Sequence, residues 1–279
     1  MLMTSPAVPG LPLPAFVRAQ GGVRIEVERS LRGSAAMRVA ESGGYRVRFP
    51  RSVLGLEGVL INTGGGMTGG DRLGIDVRVG EGAGATLTTQ AAEKIYRSRG
   101  ADVEVAIRLD LEAGSRLDWL PQEQILFDRA RFARTLDVAM SPSASLTLME
   151  STVFGRTAMG ETLVDAAFRD RWRIRRGGRL VLAEDVRLEG DVAAALARPA
   201  IGAGARAMAV LLHVAPDAEA RLDALRERLE GAASECGASA WNGLLVARFL
   251  HHDAAALRAD LARVLQSFRG APMPRSWQT

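Results

Sequence analysis

The sequence predicts a mainly β protein: elongated, layered antiparallel sheets built from stacked hairpin-like units, with two α-helices at the C-terminal end. Three features of the 279 residues support this fold class. Apolar and polar residues alternate at a period of two, the pattern of a half-buried strand, in many segments up to Leu188. A strand–turn–strand unit recurs from Leu73 onward. Apolar residues at helical spacing follow Pro216.

The N-terminal segment differs from the rest of the chain. Residues 1–20 are rich in proline, and we expect them to be disordered or loosely docked. Alternating patterns then predict strands over residues 23–27, 45–49 and 58–61. We therefore predict a single domain over residues 21–279, with a β-rich part from 21 to 212 and an α+β part from 213 to 279.

The repeat consists of four units, each with two alternating segments on either side of turn residues. Gly80–Gly84 provide the turn of the first unit and Gly177–Gly178 that of the fourth. One leucine occupies the equivalent position in each unit: Leu87, Leu117, Leu146 and Leu180. Their separations of 30, 29 and 34 residues are too uneven for a strict solenoid. The pattern favours stacked antiparallel hairpins instead.

Two amphipathic helices are predicted near the C-terminus. We expect the first to be capped by Asp217 and to end at Gly231; its apolar residues are Leu222, Leu225 and Leu229. The second begins near Asp253 and ends before Gly270. Residues 241–250, between the two helices, are predicted to form a strand or, alternatively, a buried segment of uncertain type.

A glycine-rich loop, Asn62-Thr-Gly-Gly-Gly-Met-Thr-Gly-Gly-Asp71, suggests a nucleotide site at first sight. Gly64, Gly66 and Gly69 match the letters of the dinucleotide-binding pattern, but that pattern functions only when a helix follows. Residues 72–79 alternate as a strand, and no Gly-Lys-Ser/Thr motif occurs. A nucleotide-binding enzyme that uses the Gly64–Gly70 loop is therefore only a remote alternative.

Composition excludes several other classes of protein. The net charge of +4 is small, and the arginine-rich segment 169–176 alternates like one exposed strand face, so we expect no nucleic-acid binding. No apolar run is long enough to span a membrane, and the N-terminus lacks a signal pattern, so we expect a cytoplasmic protein. Cys236 is the single cysteine, which excludes a disulfide framework and a cysteine-rich zinc site.

No catalytic constellation is recognisable. The three histidines, His213, His251 and His252, lie late in the chain, and no Gly-x-Ser-x-Gly elbow occurs. His251-His252-Asp253 resembles a metal cluster, but adjacent side chains point apart and Asp253 is explained as a helix cap. We expect a protein without catalytic activity and without a tightly bound cofactor.

Four carboxylates close apolar stretches that glycine or proline marks: Asp71, Glu123, Glu150 and Glu161. An acid in such surroundings is costly to bury without a partner. Each of these acids therefore pairs with one of the many arginines, which is the default, or lines a polar passage.

Four blocks of sequence together resemble one known family. They are residues 62–71, Thr88-Thr-Gln-Ala-Ala-Glu-Lys-Ile-Tyr-Arg-Ser98, Trp119-Leu-Pro-Gln-Glu123 and Gly155-Arg-Thr-Ala-Met-Gly-Glu161. In this order and spacing they look like the urease accessory protein UreD family, also called UreH. The segments 241–244 and 274–277 also suit the C-terminus of that family. The resemblance extends from about residue 20 to the end of the chain.

The resemblance implies a maturation factor with no catalytic activity of its own. Members of this family are mostly β-stranded scaffolds with a pair of C-terminal helices, and they join UreF and the GTPase UreG on apo-urease to deliver nickel. On the family's conduit model, Asp71, Glu123 and Glu161 are candidates for lining a path for transient Ni²⁺, and Glu150 is a less secure one. Scarcity of cysteine and histidine suits a cation in transit, which needs weakly holding oxygen ligands. A pure adaptor without metal contact has the same composition and remains the alternative.

Overall fold

The computed structural model of the protein describes residues 18–31, 33–156 and 159–278. The predicted proline-rich segment therefore lies outside the described residues, apart from residues 18–20. Two β-sheets pack face to face, and helices cover the outer face of the larger sheet near the C-terminus. The predicted mainly β, layered class with C-terminal helices is confirmed. In the described part of the chain, no helix is long and apolar enough to cross a bilayer.

The smaller sheet has seven strands, numbered here along the chain. They are β1 (Gln20–Ser30), β2 (Gly33–Ser42), β5 (Arg72–Val79), β8 (Val103–Leu111), β11 (Arg131–Met140), β13 (Ala166–Arg176) and β14 (Arg179–Gly190). Their spatial order is β14-β13-β11-β8-β5-β1-β2.

The larger sheet has ten strands. They are β3 (Tyr45–Arg48), β4 (Leu56–Asn62), β6 (Gly84–Thr89), β7 (Glu93–Ile95), β9 (Arg116–Leu120), β10 (Gln124–Leu126), β12 (Ser145–Phe154), β15 (Ala207–Val214), β16 (Glu235–Trp241) and β17 (Leu244–His251). Eight follow the order β16-β17-β15-β12-β9-β6-β4-β3, while β10 pairs with both β12 and β7.

The predicted antiparallel pairing is wrong for the central strands of both sheets. Within the first three repeat units, the two strands belong to different sheets, as β5 and β6 do on either side of Gly80–Gly84. Successive units then stack in parallel: β5, β8, β11 and β13 in one sheet, β6, β9 and β12 in the other. Alternation reveals a half-buried strand, but it does not reveal whether the next turn returns to the same sheet or crosses to the other.

The repeat prediction holds for three of its four leucines. Leu117 and Leu146 are direct register partners, and Leu87 lies opposite Trp119, two residues further along the same face. All three leucines are fully buried. Leu180 instead begins β14 in the other sheet and is 45% exposed. The fourth unit is thus a true antiparallel hairpin of β13 and β14.

The helices are α1 (Val192–Ala197), α2 (Leu222–Leu229) and α3 (Ala254–Arg269). The prediction for α3 is confirmed: Asp253 Oδ1 accepts a hydrogen bond from the Ala255 amide, and Gly270 ends the helix in the left-handed conformation with φ of 63°. Helix α1 was not predicted because its six residues are too few for a periodic pattern.

The predicted cap of α2 is wrong. A 3₁₀ turn over Glu219–Arg221 precedes this helix, whose N-cap residue is Arg221, and the Asp217 carboxylate lies 3.6 Å from His213 Nε2 and 4.0 Å from Arg221 Nε without capping the helix. Gly231 follows the helix with φ of 71°, as expected for its end. The strand predicted over residues 241–250 is found as β17, paired with β16 in a hairpin.

Two apolar cores hold these layers together. The larger one lies between the sheets, and the smaller one lies between the ten-stranded sheet and helices α2 and α3. Burial of one leucine or phenylalanine side chain contributes roughly 1.5–3 kcal/mol. Residue 213, the predicted start of the α+β part, lies within β15, which continues the larger sheet. The division at this residue stays a prediction.

Candidate functional site

A short parallel ladder runs through or directly beside the four sequence blocks, since two of its residues lie in the first and second blocks and the other two lie within three residues of the third and fourth. Met67 of the glycine loop pairs with Ile95, Ile95 is the register partner of Leu126, and Leu126 is that of Phe154. All four side chains are buried. Segments that are about 30 residues apart in sequence therefore lie side by side, because each successive strand–turn–strand unit adds one segment to this parallel ladder.

The glycine loop packs against the second block. The Met67 amide donates to the Lys94 carbonyl at 2.8 Å, and the Tyr96 hydroxyl donates to the Gly65 carbonyl at 3.0 Å. Gly66 has φ of 151°, and a Cβ atom there would lie 2.5 Å from the Tyr96 ring. Strand β5 begins directly after the loop, at Arg72. Gly66 is thus explained by close approach to Tyr96, and the helix that a dinucleotide site needs is replaced by a strand.

Asp71 is buried and uses both carboxylate oxygens. Its Oδ1 accepts a hydrogen bond from the Ala19 amide at 2.8 Å, and its Oδ2 accepts one from the Thr68 amide at 2.7 Å. The carboxylate therefore ties the start of β1 to the glycine loop.

Glu123 and Glu161 pair with arginines. Glu123 Oε2 lies 2.9 Å from Arg258 Nη1, which belongs to helix α3. Glu161 accepts two hydrogen bonds from the Arg156 guanidinium, both at 2.9 Å, and one from the Arg156 amide at 3.0 Å. The side-chain bonds from Arg156 are the main cause that lowers the pKa of Glu161 to about 2. Both glutamates are therefore paired with an arginine, which is the default expected from the sequence for these acids.

The three predicted carboxylates do not form one cluster. Within the part of the chain that the structure describes, no group of three or more histidine, cysteine, aspartate or glutamate residues is arranged to hold a metal ion. His251 and His252 stack on each other at 4.3 Å, and His251 Nδ1 accepts from the Asp253 amide at 2.8 Å. The two histidines therefore lie at the start of helix α3, where His251 accepts the hydrogen bond from its N-cap residue.

A carboxylate that sequence reasoning missed, Glu93, lines a cavity of about 190 Å³ between the two sheets. The walls are mainly apolar, with Val23, Leu60 and Ile75 among them. Asn62 Nδ2 donates to Glu93 Oε1 at 2.9 Å. Burial raises the pKa of Glu93 to about 7, and the Asn62 bond only partly opposes this rise. Glu93 therefore changes between its acid and its anion near neutral pH.

Tyr45 connects Glu93 with one of the predicted residues. Its side chain lines the same cavity and is buried. Burial raises the pKa of Tyr45, and the negative charges of Glu93 and Asp71 raise it further. Both carboxylates thus act on one phenol, and of the two only Glu93 is among the residues that line the cavity. The signal for Glu93 in the sequence was slight: an acid two residues before Ile95, on the inward face of a three-residue strand.

The C-terminal segment fastens onto the third block. Gln122 Nε2 donates to the carbonyls of Gln90 at 2.9 Å and Ser276 at 2.7 Å. Trp277 Nε1 donates to the Leu120 carbonyl at 3.0 Å, and the Arg258 guanidinium lies 4.7 Å from the centre of the Trp277 ring. Residues 274–277 are therefore part of the same assembly as the blocks near residues 90 and 120.

Comparison with known sequences agrees with this arrangement of blocks. A model of the family described as "UreD urease accessory protein" matches residues 19–278. A urease accessory protein UreD of Methylobacterium sp. (strain 4-46) is 54% identical over 247 residues, which are 86% of this chain and 88% of the relative. A UreD of Rhodopseudomonas palustris (strain HaA2) is 50% identical over 261 residues, 93% of each chain. A UreD of Azorhizobium caulinodans is 48% identical over 265 residues, 95% of this chain and 98% of the relative. The chain therefore belongs to the UreD family of urease accessory proteins.

Proposed function

We propose that this chain is a non-catalytic, cytoplasmic maturation factor of urease, which assembles with UreF and the GTPase UreG on apo-urease and helps to deliver nickel. Family membership supports the role in urease maturation. The observation that carries the nickel part is the cavity between the sheets that Glu93, Asn62 and Tyr45 line.

Oxygen donors of this kind suit a cation in transit. Carboxylate, amide and hydroxyl oxygens hold a divalent ion less tightly than a closed set of thiolate and imidazole ligands. Glu93 offers a carboxylate that accepts a hydrogen bond from the neutral amide of Asn62, so an arriving cation does not have to displace an arginine from it. The negative charge of Asp71 acts on Tyr45, which lines this cavity.

Glu123 and Glu161 remain proposed parts of the path, but they need a further step. Arg258 and Arg156 occupy these carboxylates, and each guanidinium has to move before a cation can bind there. Contact with a partner protein could move either one, since both arginines retain exposure to solvent.

The second candidate function is an adaptor that joins the partner proteins without touching nickel. It is favoured by the occupied oxygens of Asp71 and by the ion pairs of Glu123 and Glu161. The two functions differ in what removal of the Glu93 charge does to urease activation.

The test combines co-purification with UreF, UreG and apo-urease and nickel-dependent activation of urease. We expect wild-type protein to assemble and to be required for activation. Glu93→Gln should assemble normally but activate less urease. The matched control is Glu104→Gln, which removes the same charge from an exposed carboxylate that pairs with Arg72.

Full activation by Glu93→Gln would favour the adaptor over the nickel path through this cavity. Failure of the wild-type chain to assemble with any of the three proteins would overturn the proposed function itself.

A further inference from the structure

A buried polar network joins the two sheets next to the strand that carries Glu93. The Arg134 guanidinium of β11 lies between the carboxylates of Glu150 on β12 and Asp170 on β13. The exposed fractions of the three side chains are 1%, 3% and 7%. The network therefore lies in the dry interior, where charges must be balanced locally.

The charges of this network do not balance if both acids are ionised. One guanidinium then faces two carboxylates, which leaves one uncompensated negative charge. The charged groups that act on Glu150 are Arg134, across the interlayer space, and Asp170, on the strand beside Arg134. Neither β9 nor β10 supplies a cation here, since their contributions are the neutral side chains of Trp119 and Gln124. One additional positive charge, such as a proton, would make the network neutral.

The hydrogen-bond partners show which acid can hold that proton. Asp170 is surrounded by donors: Arg134 Nε at 2.9 Å, Arg134 Nη2, and Trp172 Nε1 at 2.8 Å. A protonated Asp170 would find no acceptor among these groups. Asp170 is therefore the ionised partner of Arg134.

Glu150 has a different neighbour. It accepts from Arg134 Nη1 and from Trp119 Nε1, and its Oε2 lies 3.2 Å from the Gln124 amide nitrogen. The other end of that amide, Gln124 Oε1, is buried and has no hydrogen-bond partner among the described residues. Amide oxygen and nitrogen are assigned from their partners, and exchanging them places the unsatisfied oxygen against Glu150. In this arrangement the Gln124 amide oxygen, which accepts, faces the Glu150 carboxyl group, which can donate when it is protonated.

We propose that Glu150 is protonated and donates a hydrogen bond to Gln124 Oε1, so that this network is neutral and holds the two sheets together through the single ion pair of Arg134 with Asp170. One proton thereby gives the amide oxygen a donor and cancels the surplus charge, while the Gln124 amide nitrogen takes the position that has no partner. Burial, which raises the pKa of Glu150, acts in the same direction. The network is a pH-sensitive contact between the layers, and alkaline solution weakens it by removing the proton. Gln124 is also the register partner of Glu93, so this contact borders the cavity.

The direct test observes the carboxyl group of Glu150 in the full chain. Infrared difference spectra of protein with ¹³C-labelled glutamate, recorded with Glu93→Gln in place so that Glu93 gives no signal, should contain a protonated carboxylic acid band at neutral pH. Glu150→Gln should remove this band, and Gln124→Leu should shift it because the acceptor is lost. Glu104→Gln, which alters an exposed acid, should leave it unchanged.

A second measurement uses urea unfolding between about pH 5 and about pH 9. The unfolding midpoint of the wild type should fall relative to that of Glu150→Gln as the pH rises, since only the wild type has this proton to lose. If the variant does not fold, the spectrum of the Glu93→Gln protein and its response to Gln124→Leu decide the question. A spectrum of that protein without a protonated glutamic acid at neutral pH, or parallel midpoints for wild type and Glu150→Gln, would overturn the proposal.

Discussion

Gly66 and Tyr96 are in such close contact that a Cβ atom on Gly66 would lie 2.5 Å from Cε2 of the tyrosine ring. This contact joins the first sequence block to the second. It also accounts for a glycine that could otherwise be attributed to phosphate binding.

Gly66→Ala should destabilise the fold by about 2–4 kcal/mol, because it adds a steric clash to a backbone conformation that L-residues rarely adopt. The matched control is Gly65→Ala. Gly65 also has positive φ, of 73°, but nothing lies within 4 Å of its Cβ position. The control should therefore cost only about 1 kcal/mol. Urea unfolding of both variants measures the difference, and equal losses would contradict the role of the Tyr96 contact.

Glu93 should make the stability of the wild type fall with rising pH. Its pKa is raised from 4.5 to about 7, so the folded state binds more protons than the unfolded state between these values. The free energy of unfolding should therefore decrease from about pH 4.5 to about pH 7, by on the order of 1–3 kcal/mol from this group. Glu93→Gln should lack this part of the decline. The same slope in wild type and variant would show that Glu93 titrates normally.

Glu161 should make the stability of the wild type fall as the pH decreases, which is opposite to the effect of Glu93. Its pKa is lowered to about 2, so its bonds to Arg156 stabilise the fold above about pH 4.5 and are lost as the pH falls toward 2. Glu161→Gln should reduce stability at neutral pH by about 0.5–1 kcal/mol, the usual range for a pair near the surface. Acid titration followed by circular dichroism should show the two proteins converging near pH 2. A constant difference at all pH values would contradict the assignment.

Trp277 should be needed to hold the C-terminal segment in place. It is 6% exposed, and its indole donates to the Leu120 carbonyl. Trp277→Ala should cost about 3–5 kcal/mol through lost packing. Trp277→Phe should cost less, about 1–2 kcal/mol, because it keeps most of the ring but loses the hydrogen bond. Thermal and urea unfolding provide both numbers, and a negligible effect of the alanine variant would show that this segment is not part of the core assembly.

Local pattern was sufficient to find many of the strands. The predicted segments 23–27, 45–49 and 58–61 correspond to β1, β3 and β4, and Asp253 and Gly270 delimit α3 as expected. Strand β2 was missed because it is exposed along most of its length and so has no apolar alternation. Strands β7 and β10 were missed because three residues are too short for a period.

The candidate site was predicted only in part. Asp71 was identified because it ends a distinctive loop, whereas Glu93 follows two alanines and carries no comparable mark. Glu123 and Glu161 were identified in the same way as Asp71, yet the structure places each beside an arginine. Burial and partner choice depend on residues distant in sequence, here Arg258 for Glu123, so a local motif could not reveal them.

The sequence by itself determined the half-buried strands, the capping of the last helix and the membership of the family. These depend on the alternation of neighbouring residues, on caps within a few positions, and on blocks whose order can be read directly. Only the tertiary structure decided that the central strands pair in parallel, that segments in or beside the four blocks form one ladder, and that Glu93 lines a cavity between the sheets. The reason is physical: the local pattern of a strand is the same whether the next turn reverses within a sheet or crosses between sheets. The crossing is selected by the burial of two apolar faces against each other, a property of the whole chain.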